Sequence, residues 1–142
     1  MTREEAKQEL WSVKGMRRGT KPIELEIERI MTTATKMTAA YDTISTSSHK
    51  SKIEAAVEKL EEYWDRLSTM VQRDVDYKNR CLDKVEQIKS RTLREILVYY
   101  FFMDFTLEKT AEKIGKSYQW TYELYKSALD EYCKISDLLD RT

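Results

Sequence analysis

Glycine, proline and cysteine are scarce in these 142 residues, with only three, one and two of each. A strand fold needs turn punctuation every eight to twelve residues or so, which this supply cannot provide, and a mostly helical chain is left. The two cysteines, Cys81 and Cys133, stand far apart without the close spacings of metal or redox sites, so inert thiols in a reduced, cytosolic setting are expected. Net charge is missing as well, because 25 basic residues meet 25 acidic ones. That balance excludes a globally basic nucleic-acid coat. No apolar run approaches the roughly 20 residues of a membrane span. The longest, Ile96 to Met103, reads as a buried helix, and the charged opening lacks the apolar stretch of a signal peptide.

Chemistry-bearing groups are equally sparse. The one histidine, His49, sits in the polar segment STSSHKS with no acid or thiol at ligand spacing, and reads as a solvated residue. Glu61, Glu62 and Asp65 read as a hydrated helix face. No nucleophile, phosphate-cradling glycine loop or metal set remains, so neither an enzyme nor a cofactor is expected.

What is present is helix grammar. Thr2 and Glu5 form a capping box, in which a hydroxyl and a glutamate three residues on satisfy each other's orphan amides. A short helix to about Lys14 is expected, then a break at Gly15, Gly19 and Pro22 that makes residues 1–22 a loosely tethered basic arm. From Ile23 the apolar positions run Ile27, Ile30, Ala34, Met37, Tyr41 and Ile44, with gaps alternating between four and three. Such heptads describe a helix packed along another. After a polar linker over 45–51, a second capping box (Ser51, Glu54) opens a long helix carrying Ile53, Val57, Leu60, Trp64, Leu67, Val71, Val75, Leu82, Val85 and Ile88. Residues 23–90 therefore read as an antiparallel heptad hairpin for assembly. Two arrangements stay open: a hairpin alone, or a hairpin within a homodimer that buries the unmatched length.

Past residue 90 the heptads stop. A third capping box (Thr92, Glu95) opens a helix with the cluster Ile96 to Met103, too broad for one stripe and so buried on most sides. Thr106 then caps a two-turn helix bearing Leu107, Ala111 and Ile114, and Gly115 ends it where a left-handed residue is cheap only for glycine. Ser117 caps the next helix, with Leu124, Ala128 and Leu129 inward. A small residue at the crossing, glycine four later and an inward leucine nine beyond form the spacing of a helix-turn-helix.

Residues 92–129 resemble the C-terminal helix-turn-helix of sigma-70-type factors, and with the upstream heptads the chain resembles the small phage and prophage regulators of the ArpU and RinA type. The resemblance implies an all-α protein, with a long heptad hairpin before a sigma-like domain over 91–142. It also implies transcriptional control of phage or prophage genes in a bacterial cytoplasm, through double-stranded DNA and contact with host RNA polymerase. Carried over by position, the recognition helix opens at Ser117 and turns Tyr118, Gln119, Tyr122, Glu123 and Lys126 outward. Gln119 is then placed to pair with adenine, and Ser117 with its neighbouring amides to grip a phosphate. Tyr118 and Tyr122 would meet thymine methyls or the sugar-phosphate chain. Lys113, Lys116 and Lys126 would neutralise phosphates, with Arg91 and Arg94 as further candidates.

The residues themselves leave a rival open, a packing unit or protein-docking adaptor without DNA contact. Four lysines meet four acids between Asp104 and Leu129, and no arginine stands at an outward position. Thr121 occupies a place where a branched apolar residue is typical. Tyr99, Tyr100, Phe101, Phe102 and Phe105 read as core, while Trp120 and Tyr125 fit either packing or a surface.

Overall fold

The computed structural model describes residues 1–43 and 47–141, and their side chains except those of 17, 38–43 and 47–49. Among the described residues there are five α-helices, one π-turn and no strand, an all-α fold. The helices are α1 (Arg3–Thr43), α2 (Ser47–Glu86), α3 (Arg91–Leu97), α4 (Leu107–Ile114) and α5 (Tyr118–Asp140), with the π-turn over Val98–Phe102. None of them is long and apolar enough to cross a membrane. Ile44 of the first heptad series and the side chains of Tyr41 and His49 lie outside the described residues.

The chain divides into two compact units, one of residues 1–16 with 74–142 and one of residues 17–73, so α1 and α2 each contribute to both. The expected break at Gly15, Gly19 and Pro22 does not occur, for α1 runs through all three. Two interior glycines and a proline cost roughly 5 kcal/mol together. Ala6, Leu10 and Val13 on one stretch of the helix and Ile27 and Ile30 on another are buried, and each large apolar side chain returns about 1.5–3 kcal/mol. Pro22 and Arg18 are both exposed, and Pro22 leaves the Arg18 carbonyl without its helical donor.

In the first unit the opening residues are not a loose arm. Ala6, Leu10 and Val13 join Cys81, Val85, Ile88, Ile96, Leu97 and Phe101 in one core with Tyr125, Ala128, Leu129, Tyr132 and Cys133 of α5. Polar contacts fix the register of that packing. Arg3 grips Asp130 through two hydrogen bonds of 2.8 Å, and the Tyr77 hydroxyl donates to the Glu9 carbonyl at 2.8 Å. Lys84 reaches the Glu9 carboxylate at 3.1 Å and donates to Ser136 at 2.8 Å.

The expected Ile96–Met103 helix divides. α3 passes into the π-turn, where the Met103 amide donates five residues back to Val98 at 2.9 Å. Ile96, Leu97 and Phe101 are fully buried, whereas Met103 is exposed. The cap of α3 is Ser90 rather than Thr92; its hydroxyl accepts from the Leu93 amide. α2 likewise begins at Ser47, so the expected linker is partly its first turn.

In the second unit, residues of α1 and α2 line one groove, with Ile30, Thr33 and Met37 on one side and Lys52, Ala56 and Lys59 on the other. Ile27 and Ile30 are buried. Thr32, Thr33 and Thr35 turn their hydroxyls back onto the carbonyls four residues earlier, which satisfies the hydroxyls within the helix.

Candidate nucleic-acid interface

Local chemistry builds this region in three steps. The Thr106 hydroxyl accepts from the Lys109 amide at 3.1 Å and opens α4. Gly115 ends it at φ 70° and ψ 35°, and the Lys116 amide closes the turn on the Ala111 carbonyl at 3.0 Å. This is the backbone reversal that glycine serves without a Cβ penalty. Ser117 then accepts from the Trp120 amide at 3.1 Å and opens α5.

Helical periodicity sorts the side chains that follow. Thr121, Tyr125, Ala128, Leu129 and Tyr132 point into the core. Tyr118 (50% exposed), Trp120 (54%) and Tyr122 (45%) face outward, as do Ser117, Gln119 and Glu123. Those six residues line one shallow concavity at the start of α5. Lys113 and Lys116 are exposed at the end of α4 and in the turn. Lys126 is half-buried, paired with Glu123 at 3.1 Å and lying 4.9 Å from the Tyr122 ring centre.

Of these outward aromatics, Tyr122 is backed by a ladder of rings. Tyr122 stacks on Tyr125 at 6.3 Å, Tyr125 meets Tyr100 edge-on at 5.3 Å, and Tyr100 lies 6.3 Å from Trp11 of α1. Burial, reinforced by Tyr100 and Tyr122, pushes the Tyr125 phenol well above the usual range. It stays a neutral packing group.

Arg94 belongs elsewhere. Its guanidinium donates to the carbonyls of Ile88 and, at 3.0 Å, Lys89, closing the chain between α2 and α3, so this candidate DNA contact serves the fold instead. Arg91 is exposed and paired with Glu95 at 2.9 Å. The sequence left Trp120 undecided, and its exposure adds it to the site. Trp11, also half-exposed, was hidden by the expectation of a loose arm. Thr121 is fully buried and its hydroxyl has no hydrogen-bond partner, so it stands in for the apolar residue expected there. Among the described residues no group of three or more His, Cys, Asp or Glu side chains is placed to hold a metal ion. No family model matches the chain, and neither a curated protein nor a solved structure matches it.

Proposed function

We propose that the chain is a DNA-binding transcriptional regulator whose helix-turn-helix is α4, the Gly115 turn and α5. One observation carries the reading. After a left-handed glycine and a serine cap, the first turns of α5 expose Tyr118, Gln119 and Tyr122 while Thr121 and Tyr125 anchor the opposite side. A helix anchored in this way presents its N-terminal residues to a major groove. Gln119 offers the paired donor and acceptor that suit adenine, the aromatic rings suit thymine methyls, and Lys113 and Lys116 suit flanking phosphates. The resemblance to phage regulators extends the reading to phage or prophage promoters and to host RNA polymerase beside them.

The test is binding to a site selected from random duplex. Gln119→Ala with Lys126→Ala is expected to weaken that binding about tenfold or more with little change in melting temperature. Unchanged binding rejects the assignment. A second reading, a protein-docking adaptor, is favoured by Lys126 being engaged by Glu123 and by the exposure of Tyr118, Trp120 and Tyr122, since such rings are common interface anchors. Anisotropy with generic duplex separates the two: DNA contact weakens as salt rises, whereas an adaptor gives no signal at any salt.

A further inference from the structure

α2 carries apolar side chains along two neighbouring lines. Ala56, Tyr63 and Met70 are half-buried, with Leu60 and Leu67 between them, and Ala56 lines the groove shared with α1. Val57, Trp64 and Val71 each follow one of the first three by a single residue. They therefore stand about 100° further round the helix, turned away from that groove. All three are open to solvent, at 45%, 48% and 43% exposure.

The stripe has a definite shape. Its members are seven residues apart and span about 21 Å, one residue wide. Such a line is too narrow for a broad docking face, but it fits a single helix bearing the same seven-residue repeat. Its outer flank holds the exposed acids Glu54, Glu58, Glu61 and Asp65, a composition that repels nucleic acid and anionic lipid alike. This chain itself supplies a helix with the required repeat.

We propose that the Val57, Trp64 and Val71 stripe is a self-association surface, covered by the same stripe of a second copy running antiparallel. A two-fold axis at Trp64 sets Val57 of one copy beside Val71 of the other, so three large apolar residues from each chain leave water. The same axis sets Glu61 beside Ser68, where a carboxylate meets a hydroxyl donor rather than another acid.

The experiment uses the full chain and no DNA, so its result is separate from the regulator reading. Sedimentation across a concentration series is expected to show a monomer–dimer equilibrium. Trp64→Glu is expected to weaken it at least tenfold while leaving the helical circular dichroism and the dilute-solution melting temperature unchanged, since Trp64 is half-exposed in the single chain. For orientation, Val57→Cys and Val71→Cys variants are mixed under oxidised glutathione; the mixed disulfide is expected to exceed either like-with-like product. Cys81 and Cys133 are buried and do not compete. A wild-type monomer throughout the series, or a Trp64→Glu variant that associates as tightly as wild type, overturns the surface. Predominant Val57→Cys pairing with itself overturns the antiparallel arrangement.

Discussion

The Lys14 ammonium lies 4.1 Å from the centre of the Tyr100 ring and donates to the Tyr100 carbonyl at 2.6 Å. It also donates to the Phe105 carbonyl at 2.8 Å and pairs with Asp104 at 3.2 Å. Asp104 has φ 57°, a conformation that aspartate tolerates better than most residues. One α1 side chain thus fixes the exit of the π-turn. Lys14→Met keeps the stem and removes the donors, leaving two carbonyls short of partners. Urea unfolding is expected to show a loss of about 2–4 kcal/mol.

Thr121 gives the opposite sign. Its hydroxyl is buried and unpartnered, and valine has nearly the same shape without the desolvation cost. Thr121→Val is expected to stabilise the protein by about 1 kcal/mol. The check is a higher melting temperature in a thermal melt.

Gly115→Ala places a Cβ on a residue at φ 70°. Nothing within 4 Å would clash with that Cβ, so the penalty is backbone strain alone. A destabilisation of about 1–2 kcal/mol is expected from denaturant titration. A neutral result would show that the turn relaxes to another conformation.

High pH should be the weak side of this protein. Burial pushes the Tyr132 phenol and the Cys81 thiol above their ordinary values. The unfolded chain therefore releases these protons first, at about pH 8.5 for a thiol and about pH 10 for a phenol. Over that interval the folded state binds more protons than the unfolded state, so stability falls as pH rises. Below about pH 8 the groups are neutral in both states and the loss disappears. Thermal melts from pH 7 to 11 should show a decline that begins near pH 9 and is shallower in Tyr132→Phe. A flat profile contradicts the account.

Terminal signals were legible at three helix starts and misplaced at two, since Ser51 and Thr92 lie inside α2 and α3. Thr2, Thr106 and Ser117 cap as their spacing requires, and Gly115 is left-handed. The burial of Ala128 and Leu129 also followed from periodicity alone. What escaped was set by tertiary packing. Pro22 and two glycines read as a break, yet α1 runs through all three. Arg94 looked like a phosphate ligand because nothing local reveals that the Ile88 and Lys89 carbonyls lie within its reach. The exposure of Val57, Trp64 and Val71 was hidden for a related reason, because a heptad pattern shows that a stripe exists but not how many neighbours share it.

The order of synthesis gives the first unit an awkward path to its native state. Ala6, Leu10 and Val13 are made more than a hundred residues before the α5 side chains they pack with. Until then the leading segment can meet only the α2 and α3 part of that core, and closing so distant a contact slows folding. A fragment covering only 91–142 would lack both the three apolar side chains and the lysine of α1. Isolating the proposed recognition helix therefore calls for fusing residues 1–16 back onto a piece that starts near Asp74.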